Sequence, residues 1–427
     1  MLDACDCAPA SADLFIPGLK QSAVLGRSTL DVFPTGDIGY GPLDFLIPAS
    51  DENYYNLRDH RLHVAIKVTK KDGTATEAAD AVSVVNYTMN SLFSQVDMYV
   101  NETLVTVSTN TYPYTSYMEI VTTYSRGAKR TQLAGLLNHD DTPGKYNTLT
   151  DDNEGFEKRQ EGISASRTCQ LRGALHLPLM RQDRFLLNKC SIRIRLTPSN
   201  ENFVLLAADA NTYKLKIVDA RLEVAKLELA PAIVLEHARM LKSTTAKYPI
   251  RRSEIKTFSV ATGASSTVRE ALFTGQMPRT VMVGIVASDA YGGSISKNPF
   301  NFEHANLSYL CVQVDNVRYP TRPLQPNFNT KNFIESYESL ITGSGLLDED
   351  RDLDITPAQF EGGSALYIIR LTPGEPDSLA EEIRRNGTLR LEAKFRTALT
   401  KTVTFIVLAS FDNLIEIDEH RSIIKDY

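Results

Sequence analysis

Short segments in which polar and apolar residues alternate recur along the whole chain. Residues 61–68 (RLHVAIKV), 190–198 (CSIRIRLTP) and 388–395 (TLRLEAKF) each place their apolar side chains on one face of an extended strand. Turn-forming residues separate such segments at intervals of about 8–15 residues, and helical spacing is rare. Many short strands with few helices are typical of antiparallel β-sandwiches, so we predict an all-β fold.

One combination of elements occurs twice. Residues 93–121 predict two strands around a tight turn at Asn101-Glu102, then a short amphipathic helix. Residues 307–341 predict the same unit, with the turn at Asp315-Asn316. We expect each helix to brace its own barrel, and Tyr117 and Tyr337 to pack equivalently in the two copies. The predicted apolar helix faces are Tyr114, Tyr117, Met118 and Val121 in the first copy, and Phe333, Ile334, Tyr337, Leu340 and Ile341 in the second.

The two copies also end in the same way. Each has a strand closing on Leu-Thr-Pro (residues 196–198 and 371–373), then an alternating strand, then a longer final strand. A chain of 427 residues is too long for one ordinary core. We therefore predict two consecutive eight-stranded antiparallel jelly-roll β-sandwiches, a double jelly roll, with a few short helices. The predicted division is an N-terminal arm (1–24), a first jelly roll (25–230), a connector helix and linker (231–246), and a second jelly roll with a C-terminal tail (247–427).

Two segments between the strands are expected to make contacts outside the barrels. Residues 126–165 are long and polar, which is typical of functional or mobile loops, so we expect an excursion away from the barrel core. Residues 342–363 include an acidic run from Asp348 to Asp354. We expect both loops to form towers or contacts between subunits. The arm and residues 418–427 are expected to reach neighbouring chains or internal proteins.

Composition narrows the function classes. Hydrophobic residues make up 42% of the chain and charged residues 23%, as in globular proteins. The net charge of −6 argues against a surface built mainly for nucleic acid. No apolar run approaches the length of about 20 residues that spans a bilayer. The first residues, MLDACDCAPASADLF, lack the basic start and apolar core of a signal peptide. Five cysteines suit a reducing compartment better than a disulfide framework.

Fragments that could carry chemistry are present, but none has motif-level spacing. His139-Asp140-Asp141 lacks a second histidine nearby, and the run from Asp348 to Asp354 lacks the ligand spacing of a calcium loop. Residues 143–145 (PGK) lack the flanking residues of a phosphate loop, and Cys5-Asp6-Cys7 is too tight for a zinc knuckle. His63 and His176 fall in predicted strands, and the pair Arg251-Arg252 is expected to be solvated. We predict no catalytic, cofactor-binding or metal site and no enzymatic activity.

Six long blocks, in order along the chain, resemble the major capsid proteins of Polinton/Maverick elements and adintoviruses. The similar region runs from about residue 5 to residue 424. At Asn101-Glu102 the chain departs from its relatives, which tend to carry Asn-Gly, so this hairpin is expected to use a different turn type. The blocks are FSQVDMYVNETLV, NTYPYTSYMEIVTTYS, QDRFLLNKCSIRIRL, TAKYPIRRSEIKTFSV, GQMPRTVMVGIVASDAYGGSISKNPFNFEHANLSYLCVQVDN and RLEAKFRTALTKTVTFIVLASFDNLIEID.

The resemblance implies a double jelly roll of the adenovirus hexon lineage. It implies self-assembly into homotrimers whose six barrels form a pseudo-hexagonal capsomer, which tiles an icosahedral shell around double-stranded DNA. The implied partners are the chain itself, penton and minor capsid proteins and, indirectly, the genome. The implied location is the virion, after assembly in the host nucleus or cytoplasm.

Two other hypotheses about the function are compatible with the same strand pattern. A carbohydrate-binding or carbohydrate-active β-sandwich would need a convergent carboxylate pair or an aromatic stacking platform, and it would bind glycans as a monomer. A spike or minor vertex protein would be expected to have a single jelly roll. Particle size and shape separate these alternatives.

Overall fold

The computed structural model describes residues 21–38, 41–78, 80–209, 212–347, 349–373 and 383–427. Most of the predicted arm, with Cys5 and Cys7, therefore lies outside the described residues. The strands are β1 (Val24–Val32), β2 (Leu43–Ile47), β3 (Asn53–Lys70), β4 (Val82–Val84), β5 (Phe93–Val100), β6 (Thr103–Leu104), β7 (Cys169–Gly173), β8 (Ile192–Pro198), β9 (Leu205–Ala207), β10 (Tyr213–Leu229), β11 (Ala246–Val260), β12 (Ser266–Gln276), β13 (Thr280–Ala287), β14 (Leu307–Val314), β15 (Val317–Leu324), β16 (Leu366–Arg370), β17 (Asn386–Phe395), β18 (Val403–Ile417) and β19 (Ile423–Lys425). The α-helices are α1 (Thr88–Ser91), α2 (Tyr112–Thr123), α3 (Arg126–Arg130), α4 (Glu154–Ile163), α5 (Glu201–Val204), α6 (Pro231–Met240), α7 (Ser288–Tyr291), α8 (Ile334–Gly343) and α9 (Pro357–Gly362). Short 3₁₀ helices cover Ala134–Leu136, Ser164–Ser166, Pro178–Met180 and Phe328–Thr330.

The strands form two barrels with the same topology. In the first barrel, sheet β1-β10-β3-β7 faces sheet β2-β8-β5-β6. In the second barrel, sheet β11-β18-β13-β16 faces sheet β12-β17-β14-β15. The two strand orders correspond position by position, and every pairing within them is antiparallel. Each barrel is thus an eight-stranded jelly roll, as predicted. Strands β4 and β9 pair beside the first barrel, and β19 extends the second along β18.

The inward faces of both barrels join one continuous apolar cluster. In β13, for example, Val281, Val283 and Ile285 are fully buried and point into the second barrel, following the period of two of a strand. A smaller apolar cluster lies where β4 and β9 meet α4. The two cores are not separated by a layer of solvated side chains, so the barrels pack as one body.

The repeated hairpin and helix are present in both barrels. Strands β5 and β6 precede α2, and strands β14 and β15 precede α8. The sequence suggested a different turn type for the first hairpin, but this prediction was wrong, because both hairpins use the same turn type. Asn101 (φ 46°) and Glu102 (φ 63°) are both left-handed, and so are Asp315 (φ 47°) and Asn316 (φ 71°). Positive φ at both central residues is the mark of a type I′ turn, which matches the twist of the strands without glycine here.

Local predictions differ from the structure at two places in the first barrel. A strand was predicted around His176, but β7 ends at Gly173 and the chain turns into a 3₁₀ helix at Pro178. The polar segment 126–165 is not an excursion away from the core, since Phe156 and Arg159 on α4 are almost completely buried. The connector helix is present as α6, and no residue of it is buried.

Candidate functional site: the junction between the two barrels

A buried ion pair lies at one end of the junction, where the segment 126–165 meets the second barrel. We call this the loop end. The side chain of Arg159 on α4 is 0% exposed, and its Nη2 lies 2.6 Å from Oδ1 of Asp141. The same guanidinium donates to the carbonyl oxygens of Val84, at 2.8 Å, and His139. The other oxygen of Asp141 accepts a hydrogen bond from Asn298 Nδ2 of the second barrel, at 2.9 Å. A charge pair within the first barrel is therefore tied directly to the second.

A second charged group joins the loops that precede β7 and β16. Lys129 on α3 is 2% exposed and donates to the carbonyl of Leu353. Burial lowers the pKa of Lys129, and the nearby carboxylates of Asp140 and Asp354 oppose that change. Burial, reinforced by Asp140, raises the pKa of Asp354 to about 6, although Arg126 Nε lies 3.2 Å away. This group is a titratable contact between the barrels at mildly acidic pH.

The backbones of the same loops approach closely. The amide of Gly144 donates to the carbonyl of Gly362 at 2.7 Å, and the hydroxyl groups of Tyr146 and Ser364 are 2.7 Å apart. A Cβ atom at Gly362 would lie 2.6 Å from the nitrogen of Gly144. Glycine is required at residue 362 because two backbones meet there without room for a side chain.

Stacked aromatic rings fill the middle of the junction. The ring of Tyr117 on α2 stacks on Phe300 of the second barrel, with centroids 4.4 Å apart and an interplanar angle of 4°. Tyr114 stacks on Tyr291 at 5.7 Å and meets Phe302 edge to face at 6.4 Å. Offset and edge contacts of this kind add to the free energy of burying the rings. Helix α2 therefore braces the opposite barrel as well as its own.

Tyr117 and Tyr337 do not pack equivalently. Tyr337 is only half-buried, meets Phe360 edge to face at 5.7 Å, and donates its hydroxyl to the carbonyl of Ile355 at 2.8 Å. Its contacts lie within the second barrel, whereas the stacking partner of Tyr117 lies across the junction. On the predicted face of α8, Ile334 is 56% exposed and does not pack. The repeated helices have the same position in the chain but different surroundings.

A lateral cleft of about 590 Å³ opens beside the aromatic layer, and Glu119 lies at its wall. Oε1 of Glu119 accepts from Ser253 Oγ at 2.8 Å, and Oε2 lies 3.0 Å from His176 Nδ1 and contacts Arg181. Burial alone would raise the pKa of Glu119, but the Arg181 charge and the hydrogen bonds from His176 and Ser253 lower it to about 2. Glu119 is an ionised link between α2 and β11.

The arrangement in this cleft does not suit nucleophilic catalysis. The hydroxyl of Ser253 donates to Glu119 and not to His176, whose pKa burial lowers. A serine nucleophile needs its base within hydrogen-bond reach. Asp412 in the cleft wall pairs with Arg279 at 3.1 Å and Arg251 at 3.8 Å. These ion pairs of Asp412 therefore stabilise the wall of the cleft.

The C-terminal tail closes the opposite end of the junction. The guanidinium of Arg421 donates to the backbone and side-chain oxygens of Asn188, at 2.9 and 3.0 Å, and its carbonyl accepts from Asn101 Nδ2 at 2.8 Å. Lys425 Nζ donates to the carbonyl of Leu104 at 2.9 Å, and the hydroxyl of Tyr427 donates to that of Val105 at 2.7 Å. The tail was expected to reach other proteins, but these residues hold the first barrel of the same chain.

Several sequence candidates have structural positions that the sequence did not reveal. Asp140 and Asp141 belong to the charged groups of the junction, and within the described ranges no group of three or more His, Cys, Asp or Glu side chains could hold a metal ion. Arg252 is not solvated as expected: it is 8% exposed, lies over the rings of Phe411 and Tyr427, and bonds to Asn413 at 3.1 Å. No local pattern in the sequence signals these contacts, since all of them join residues distant in the chain.

Cys190 and Cys311 are buried and Cys169 is half-buried, and these thiols are free. Among the described residues, no helix is long and apolar enough to cross a membrane. Residues 143–145 lie in the loop contact of Gly144 with Gly362. His63 is half-buried on the outer face of β3.

The chain is similar to viral capsid chains over nearly its whole length. A chain of the Sputnik virophage matches with a TM-score of 0.69 and 12% identity, over 98% of this chain and 92% of that one. The mavirus major capsid protein matches with a TM-score of 0.58 and 12% identity, over 100% and 96%. A chain of the PBCV-1 virus capsid matches with a TM-score of 0.58 and 10% identity, over 97% and 99%.

Comparison of sequences shows fewer similarities than comparison of structures. No family model matches the chain. An uncharacterized protein of Caenorhabditis elegans is 25% identical over 427 residues, which cover 96% of this chain and 99% of that protein. The structural similarities and the sheet order together establish that this chain has the double jelly-roll fold of these capsid structures.

Proposed function

We propose that the chain is a major capsid protein of the Polinton/Maverick and adintovirus type. In this proposal it self-assembles as a homotrimeric, pseudo-hexagonal capsomer, and capsomers tile an icosahedral shell around a double-stranded DNA genome. The observation that carries the proposal is the junction described above. It fixes two barrels of one topology side by side at the loop end, in the middle and at the opposite end.

A rigid pair of similar barrels suits this role for a geometric reason. Three chains related by a threefold axis present six barrels, so a trimer can occupy a position with six neighbours in a shell. That requires the angle between the two barrels to be the same in every copy. The contacts of the ion pair, the aromatic layer and the tail restrict that angle from three sides.

The comparisons support the proposal at the level of fold. The similar mavirus chain is itself a major capsid protein, and the match includes both barrels. The similarity to the nematode protein extends over nearly the whole of both chains, so it includes the residues of both barrels.

Further parts of the proposal concern boundaries and partners. The division into an arm (1–24), a first jelly roll (25–230), a connector (231–246) and a second jelly roll with its tail (247–427) is part of it. So are the absence of catalysis and of a cofactor, contacts with penton and minor capsid proteins, and assembly in the host nucleus or cytoplasm. The role of the loops 126–165 and 342–363 in towers or subunit contacts stays a prediction.

Particle size and shape test the proposal. Purified full-length chain is expected to scatter light as a particle of about 140 kDa, three times 47.4 kDa, and to appear pseudo-hexagonal in negative stain. A stable monomer of single-chain mass at all concentrations would contradict it. Glycan binding by that monomer would favour the carbohydrate-binding alternative.

A further inference from the structure

The outer face of the second barrel's sheet β11-β18-β13-β16 is covered within the chain. Ser253 on β11 bonds to Glu119 of α2, and the ring of Phe302 lies over Gly284 on β13. A Cβ atom at Gly284 would lie 2.5 Å from that ring. Tyr117 of α2 packs on the same ring, at 5.6 Å. Helix α2 of the first barrel thus packs on the outer face of this sheet of the second barrel.

Within the part of the chain that the structure describes, no helix covers the equivalent face of the first barrel in this way. Strand order β1-β10-β3-β7 corresponds to β11-β18-β13-β16, so the outer face of β10 and β3 is the counterpart of the covered one. On β10, Lys214 and Lys216 are exposed, and Val218 is 45% exposed. The inward neighbours of Lys67 on β3, Ile66 and Val68, are fully buried, so Lys67 points outward.

Two lysines lie opposite each other on this open face, and the exposed carboxylate of Asp219 lies further along it, opposite Ala65. Lys216 lies directly opposite Lys67 in the antiparallel register, and like charges in that position destabilise a sheet. Among the described residues no ion pair joins Lys67, Lys214 or Lys216 to a carboxylate, and Lys214 and Lys216 are exposed to solvent. A negatively charged partner would remove the repulsion.

Helix α8 has the complementary surface. Its outer side presents Ile334, which is 56% exposed, with Glu335 and Glu338. Glu335 has only a distant contact with Arg322, at 3.9 Å between exposed side chains, and such pairs contribute little. The helix thus carries one aliphatic side chain and two carboxylates, and the open sheet face carries Val218 and the lysines.

We propose that α8 of one chain docks on the outer face of β10 and β3 in the first barrel of a second copy. This inference rests on the proposed trimer and names the surfaces that form it. The contact repeats between chains what α2 does within a chain. Because each barrel then offers a helix to the next and receives one on its sheet, the contact is heterologous, and three chains close a ring of six barrels.

A charge-reversal experiment tests the pairing. The double variant Lys67→Glu/Lys216→Glu exchanges one like-charged cross-strand pair for another, so the fold of the chain keeps its stability. Its trimers are expected to dissociate at a protein concentration at least about tenfold higher than wild-type trimers, as measured by light scattering over a dilution series. Adding Glu335→Lys/Glu338→Lys restores opposite charges and is expected to return the midpoint to within about threefold of wild type. Lys242→Glu, an exposed reversal after α6, is the control and leaves the midpoint unchanged.

The outcomes separate this inference from the proposed function. Loss and rescue of the trimer by the two double variants support the pairing. If the Lys67→Glu/Lys216→Glu variant forms trimers as well as wild type does, the proposed pairing is wrong. It is also wrong if the second double variant does not restore the lost trimers. In both cases the wild-type trimer still supports the proposed function. A wild-type chain that forms no trimer contradicts the proposed function first. Unchanged thermal melting of the monomeric variants establishes that any loss comes from association.

Discussion

The buried pair of Arg159 and Asp141 gives the sharpest test of the junction. Asp141→Ala leaves a guanidinium that is 0% exposed without its counter-ion, and it removes the acceptor of the Asn298 amide. Breaking a buried pair from one side costs about 3–5 kcal/mol, because an uncompensated charge stays buried. The Asn298 amide also loses its hydrogen-bond acceptor, and the cost of that loss is at most about 1 kcal/mol beyond this range. We therefore expect the free energy of unfolding to fall by about 4 kcal/mol.

A double-mutant cycle separates pairing from burial. Arg159→Met alone leaves the Asp141 carboxylate buried, but its oxygens keep the amides of Asn298 and Asn153 at 2.9 and 3.0 Å, so its cost should be smaller. The double variant Asp141→Ala/Arg159→Met closes the cycle and removes both charges. It should be more stable than Asp141→Ala by about 1–3 kcal/mol, since no isolated charge remains.

The neighbouring residue on the same helix provides the control. Lys158 forms an i, i+4 ion pair with Glu154 in which both side chains are about half exposed or more. Lys158→Ala should change the free energy of unfolding by less than about 1 kcal/mol. The assay is urea unfolding followed by far-ultraviolet circular dichroism. A cost for Asp141→Ala no larger than that for Lys158→Ala would refute the reasoning that the pair is a desolvated contact between the barrels.

Other predictions concern single side chains. Tyr117→Ala removes the ring stacked on Phe300 and should cost about 3–5 kcal/mol in urea unfolding; a loss below about 1 kcal/mol would contradict the aromatic layer. The pKa of Asp354 is raised from 3.8 to about 6, so the native state binds the extra proton and stability should fall as the pH rises from about 4 to about 6; Asp354→Asn should remove that slope in melting temperature. The pKa of Glu119 is lowered from 4.5 to about 2, so its contribution is complete above pH 4.5 and lost as the pH falls towards 2; Glu119→Gln should flatten that limb, and an unchanged limb would contradict it. Lys216→Glu alone places opposite charges across the strands and should stabilise the monomer by about 0.2–1 kcal/mol, while weakening the trimer.

The strand pattern and the repeat could be predicted because both are local. Period-two alternation located β8 and β17, and the apolar face of α2 followed from helical spacing. The same type I′ geometry in both hairpins shows a limit of this reasoning. Glycine preference suggested another turn at Glu102, but the pairing of β5 and β6 imposes positive φ there. Tertiary pairing overrode the local preference.

The junction could not be predicted, because its members are polar and distant in sequence. Asp141 and Arg159 read as solvated residues of a long loop, and only Asn298, more than 130 residues later, explains their burial. The tail was similarly misjudged: Tyr427 bonds to Val105, a contact that no pattern within either segment signals. A polar segment with few β-branched residues predicts the absence of strands correctly, but it says nothing about whether another barrel covers the segment.

The difference between α2 and α8 follows from when each contact has to form. In the proposed ring of six barrels from three chains, three junctions lie within chains and form during folding, and three lie between chains and form afterwards. A junction within a chain is never presented to solvent as a finished surface, so it can be apolar, as the stacking of Tyr117 on Phe300 shows. A surface that waits for another copy has to stay soluble, and a large exposed apolar patch promotes non-specific association. Charged side chains around one aliphatic residue meet both demands, because they keep the free chain soluble and still select the complementary face. Glu338 and Ile334 on α8, and Lys216 and Val218 on β10, have that composition. The duplicated helices therefore differ in polarity in the direction that the two steps of the proposed assembly require.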